Sequence, residues 1–135
     1  MSSLVVLDTS IFIDYLRRRQ HQERLDSLSG IMRTSSVVLS ELWRGARKSQ
    51  ERKFLLQLES NHPVFAPTQR NWTESGQILA EIAADRGFTA GKLRDLHFDL
   101  LIALSTRSHG ARLVTSNRTD FEWIQKYRPF VLETW

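Results

Sequence analysis

Apolar and polar positions alternate between two rhythms along the chain. Leu4-Val5-Val6-Leu7 is a short, uninterrupted apolar run, the pattern of a strand covered on both faces of a parallel sheet. It predicts a strand over 3–8. Helical spacing follows over 10–19 and 22–31. Val37-Val38-Leu39 predicts a second strand over 34–39, with Ser40 capping a helix that carries Glu41, Leu42 and Trp43. Residues 50–60 read as a helix with Phe54, Leu55 and Leu58 on one face. Pro63 and Pro67 bracket a third strand around Val64-Phe65. Residues 69–86 form a long amphipathic helix that stops at Gly87. Residues 97–109 are apolar on nearly all sides and stop at Gly110. A strand over 112–116, a helix over 119–126 and an edge strand over 130–133 complete the chain.

Strands separated by helices imply right-handed crossovers and an open parallel sheet. The expected fold is therefore α/β, a central parallel sheet of four to five strands flanked by helices. The 135 residues form one domain, 1–135, on this reading. In such sheets ligands bind beyond the carboxyl ends of the strands. Asp8 ends the first strand, Glu41 follows the second, Asp99 opens the helix 97–109, and Asp120 follows the fourth strand with Asn117. Four carboxylates from distant parts of the chain are thus expected at one sheet edge. Each alone has a simpler use at a helix start, as a cap or beside the helix dipole. Caps have no reason to converge.

Charge sharpens this picture. Nineteen Lys and Arg oppose fifteen Asp and Glu, a net of +4. Without the four edge carboxylates the remainder is 19 − 11 = +8. A basic molecule with one acidic spot suits a polyanion and a divalent cation. Two carboxylates about 4 Å apart repel by about 4 kcal/mol at an effective dielectric near 20, so several need a cation to stay ionised. Hard oxygen donors without cysteine point to Mg2+ or Mn2+ rather than zinc, and the four histidines lack zinc-ligand spacing. No apolar stretch spans a membrane, and Met1-Ser2-Ser3 is not the basic start of a leader, so a cytoplasmic location is expected. Serine and cysteine nucleophile motifs and glycine-rich phosphate loops are missing.

At these residues the chain resembles the PIN-domain ribonucleases and, among them, the VapC-type toxins. The resemblance lies in Val6-Leu7-Asp8-Thr9-Ser10, Ser40-Glu41-Leu42-Trp43-Arg44-Gly45-Ala46, Asp99-Leu100-Leu101-Ile102-Ala103 and Leu113 to Phe121. It implies a PIN-like three-layer fold and a metal-dependent endoribonuclease cutting RNA. Asp8, Glu41, Asp99 and Asp120 are then the catalytic carboxylates. Asp8, Glu41 and Asp99 form the acidic core around Mg2+ or Mn2+. Asp120 is read as the last direct ligand beside Asp8 and Asp99, because Asn117 brings no charge. Thr9, Ser10, Thr115, Ser116 and Asn117 line the site. The resemblance also implies a homodimer and a cognate VapB-type antitoxin. Leu16, Leu25, Leu28, Leu42 and Trp43 are expected to line an apolar groove for an amphipathic helix of that partner. Residues 90–97 match no family pattern and are expected as a loop over the cleft. Two rivals stand beside this reading. A metal-dependent aspartyl-phosphate phosphatase would want an Asp where Ser10 stands, and a non-catalytic module would have no need of the acids.

Overall fold

The central strand is the one the apolar run marked. The computed structural model describes residues 3–135; Met1 and Ser2, part of the start weighed above for a leader, lie outside the described residues. Strand β1 (Leu4–Leu7) is flanked by β2 (Ile31–Ser35) and β4 (Arg112–Thr115), with β3 (Val64–Phe65) and β5 (Leu132–Thr134) at the edges. All four pairings are parallel. The helices are α1 (Thr9–Arg18), α2 (Gln22–Asp26), α3 (Ser36–Gly45), α4 (Ser49–Asn61), α5 (Gln69–Arg86), α6 (Ala90–Ser108) and α7 (Arg118–Gln125). They flank a five-stranded sheet, the expected α/β architecture. None is long and apolar enough to cross a membrane.

Val5, Val6, Leu7, Leu113 and Val114 are buried, so both faces of the sheet centre are covered, as parallel pairing requires. Helix α6 supplies more buried apolar residues to this core than any other single element. Its residues 100–106 are all buried, and at about 1.5–3 kcal/mol per large apolar side chain this one segment contributes strongly to stability.

Three expectations are corrected. The second strand is Ile31–Ser35, not 34–39, and the helix expected over 22–31 ends at Asp26. Gly30 (φ +107°) turns the chain into β2; a Cβ there would lie 2.5 Å from the Ser3 carbonyl oxygen. Val37-Val38-Leu39 then belongs to α3, because Ser35 Oγ caps that helix by accepting from the Val37 amide at 3.2 Å. The valines and Leu39 bury on a helix face instead of a strand face. Last, residues 90–97 are not a loop. Thr89 Oγ1 accepts from the Lys92 amide at 3.2 Å and starts α6 seven residues early.

Candidate active site

Asp8 follows β1, and its amide donates to the Val114 carbonyl at 2.8 Å. That bond extends the β1–β4 pairing and sets Asp8 beside Thr115. The Asp8 side chain occupies the N-cap position of α1 without making a capping hydrogen bond. Its Oδ2 accepts instead from Ser10 Oγ and Thr115 Oγ1, both at 2.8 Å. Ser10 Oγ also accepts from the Ser116 amide at 3.1 Å, and Thr115 Oγ1 from the Asn117 amide at 2.9 Å. Two hydroxyls, themselves fixed by backbone, hold one nearly inaccessible carboxylate. Burial pushes the Asp8 carboxyl up, against the pull of the Ser10 and Thr115 hydrogen bonds.

Glu41 is the sixth residue of α3, beyond the first turn, so the helix dipole does not explain it. Thr9 Oγ1 donates to its Oε1 at 2.7 Å. Burial raises its carboxyl, Thr9 lowers it, and the Asp8 charge raises it again. Asp99 is the tenth residue of α6 and therefore no cap. Its carboxyl is pushed up to about 8, first by burial, then by the charges of Asp8, Asp120 and Glu41, with Lys92 pulling the other way. The four acids, from four separate segments, thus act on one another.

Asp120 lies in the first turn of α7. Its Oδ1 accepts from Lys92 Nζ at 2.8 Å and its Oδ2 from Asn117 Nδ2 at 3.2 Å. The fourth position is therefore a pair: Asn117 orients Asp120. Lys92 is not among the residues the sequence points to, because the polar segment 90–97 resembles a loop. Thr89 as a cap, and the seven-residue spacing from Lys92 to Asp99, two turns on one helix face, are the signals that would have found it.

Among the described residues, no three His, Asp or Glu side chains are already drawn together as a ligand shell for an ion. The donor chemistry nevertheless suits one. Hard carboxylate oxygens raised first by burial and then, at Asp99 and Glu41, by neighbouring acids are relieved by a small divalent cation. Lys92 at present supplies one positive charge to that cluster.

The five residues expected to form one apolar groove do not share one. Leu16 and Leu42 line a narrow cavity of about 40 Å3 that also touches Glu41. Leu25 lines another, of about 260 Å3, between α1, α2 and α4. Leu28 faces a third, beside Arg112 and Trp135. Trp43 is 38% exposed and lines none of these. The shortening of α2 separates Leu25 from Leu28: Leu25 stays on the helix, and Leu28 falls in the connection to β2.

The PIN domain family model matches residues 5–126. The chain is 37% identical over 123 residues to the tRNA(fMet)-specific endonuclease VapC of Shigella flexneri, covering 87% of this chain and 89% of that one. It is 32% identical over 123 residues to ribonuclease VapC2 of Haemophilus influenzae, with the same coverage. Among solved structures, DNA-bound VapBC from Salmonella typhimurium aligns with a TM-score of 0.74 at 28% identity, covering 100% of this chain and 99% of that chain. With the sheet order and the acidic edge already in place, these matches show that the chain belongs to the PIN-domain family and is of the VapC type.

Proposed function

We propose that this chain is an endoribonuclease toxin that hydrolyses RNA phosphodiester bonds with the help of Mg2+ or Mn2+. One observation carries the reading. Asp8, Glu41, Asp99 and Asp120 come from four segments and raise or feel one another's charge at the carboxyl edge of the sheet. The names of the relatives, endonuclease and ribonuclease, support the same class of reaction.

Asp8, Asp99 and Asp120 would hold the ion. When bound, it supplies electrophilic polarisation of the phosphodiester and makes nearby water more acidic. The protein's own groups do the rest. Ser10 and Thr115 keep Asp8 in one rotamer. Asn117 does the same for Asp120. Glu41, braced by Thr9 and raised by burial, accepts the proton of the attacking water as its oxygen bonds to phosphorus and the bond to the ribose oxygen breaks, the leaving oxygen taking a proton from solvent. Lys92 exchanges Asp120 for a phosphate oxygen of the bound strand. Ser10 also disfavours the phosphatase rival: that chemistry wants a second carboxylate here, and the hydroxyl present is spent on Asp8.

The purified chain, freed of any partner, should cleave RNA with Mg2+ or Mn2+. EDTA should abolish cleavage, and Asp8→Asn should lower it at least about a thousandfold while the fold is kept. Cleavage in EDTA, or an active Asp8→Asn, would rule out this mechanism.

The same reading includes an antitoxin of the VapB kind, since solved relatives are VapBC complexes, and a homodimer, which rests on the family resemblance alone. Trp72, 50% exposed, and Phe98, 38% exposed, flank His97 and offer an aromatic patch for a second copy. Light scattering should then give about twice the 15.7 kDa chain mass, and a monomer at all concentrations would refute the dimer.

A further inference from the structure

A broad cavity opens outside the acidic cluster itself. It measures about 620 Å3, between the end of α1 and the start of α4. Arg17 lines it from α1 and Arg19 from the residue just past that helix, Arg47 and Lys48 from the approach to α4, and Lys53 from α4 itself. All five are exposed, and none is in an ion pair among the described residues. The one acid of the lining, Glu51, is occupied: its Oε1 accepts from the Arg47 and Lys48 amides at 3.1 and 3.2 Å. Tyr15 and Phe54 are also in the wall, with ring centroids 6.0 Å apart, and the Arg19 guanidinium stands 5.3 Å from the Tyr15 centroid.

This cleft leads to the candidate active site. Leu16, Arg17, Gly45 and Glu51 line both it and the narrow cavity that touches Glu41. Arg44 continues the positive charge, because its charge reaches the Glu41 carboxylate. We infer that the α1–α4 cleft is a binding tract for the RNA backbone, holding the strand that flanks the bond being cut.

The inference rests on the ribonuclease reading above but adds a second site to it. Two walls of unpaired cations suit a phosphate chain, and planar Arg19 over Tyr15 suits a stacked base. An acidic peptide would satisfy the cations as well. The aromatic wall decides against it, since Tyr15 and Phe54 offer ring faces on which bases stack and which a run of carboxylates does not use.

The test uses the triple variant Arg47→Glu, Lys48→Glu, Lys53→Glu in the full chain, with a charge-keeping control, Arg47→Lys, Lys48→Arg, Lys53→Arg. Cleavage of a 20-nucleotide and a 4-nucleotide RNA is followed with Mg2+, and binding of the 20-mer is measured in EDTA at several salt concentrations. The reversal should raise KM for the long RNA at least tenfold and leave kcat/KM for the short one within about twofold. It should flatten the salt dependence of binding by about 2 in log–log slope, at about 0.7 per lost phosphate contact on a single strand. The control should behave as the parent. Unchanged KM and slope in the reversal would overturn the tract. Loss of binding to a poly-glutamate peptide with RNA affinity kept would also overturn it, and would assign the cleft to an acidic partner. If the parent cuts no RNA but binds the 20-mer with the stated slope change, the tract stands and the nuclease reading falls.

Discussion

Lys92 Nζ lies 2.8 Å from Asp120 Oδ1, so a cation of the chain itself already sits against the acidic cluster. The pair is partly exposed, 37% on the Lys92 side and 18% on the Asp120 side, so its net worth is about 0.5–1 kcal/mol. A divalent ion claiming Asp120 must displace this contact. Lys92→Met should therefore tighten Mg2+ binding about two- to fivefold by titration calorimetry, while kcat/KM on RNA falls because a phosphate contact is lost. Asp120→Asn should weaken Mg2+ binding at least about tenfold, and Asn117→Ala less, since Asn117 only orients its neighbour through one neutral-donor hydrogen bond. The reverse order in the last two variants would make Asn117 the ligand.

Asp99 contributes to the pH dependence of the metal-free protein in the same direction as Asp8 and Glu41, whose carboxyls burial also raises. Its folded carboxyl protonates near 8, against 3.8 ordinarily. Between those values the native state holds a proton that the unfolded chain has released. Stability is thus lost as pH rises from about 4 to about 8 and levels off above. Asp99→Asn carries no such burden, so it should raise Tm at pH 8 and change little at pH 4, a gain on the order of 2–3 kcal/mol at the upper end. Mg2+ and the proton compete for the same oxygens, so parent affinity for Mg2+ should climb over the same range. A Tm difference between the two proteins that is flat from pH 4 to 8 would show that Asp99 ionises normally.

Much of this site was legible because it depends on topology. Asp8, Asn117 and Asp120 follow strands whose apolar runs are short and bounded, and those strands pair as expected. Glu41 lies beside Thr9 and within reach of the Asp8 charge although the strand expected before it is a helix. The run Val37-Val38-Leu39 has strand-like composition, and only the pairing of Leu4 to Val6 with Ile31 to Arg33 shows that the strand was already over. Local preference lost there to a long-range register. Lys92 was missed for the opposite reason. A polar first turn looks like a loop until its Thr89 cap is recognised. Groove residues were the least legible, since Leu16, Leu25 and Leu28 are all partly buried and the sequence does not say which cavity each faces.

An antitoxin helix of the kind proposed would need a surface that is apolar, accessible and next to the acids. Among the five residues first expected there, Leu42 is core, at 5% exposure, and Leu16 lines the Glu41 cavity with Ile13, itself 38% exposed. Ile13 and Leu16 are three residues apart on α1 and so share a face. Trp43 offers a further exposed ring on α3. A helix lying over Ile13, Leu16 and Trp43 would end close to Glu41. An Arg at that end would meet carboxylates that repel one another, and would compete with the metal by charge as well as cover the site. Trp43→Ala should therefore weaken binding of a VapB-type antitoxin about tenfold or more, with Tm changed less than in a core variant because Trp43 is 38% exposed. Leu42→Ala should do the opposite: a loss of about 2–4 kcal/mol in stability from a core cavity, with any effect on partner binding secondary. Raising Mg2+ should restore part of the RNA cleavage in the complex. If Trp43→Ala melts as Leu42→Ala does, Trp43 is structural and the helix docks elsewhere; if Mg2+ restores nothing, steric cover alone inhibits.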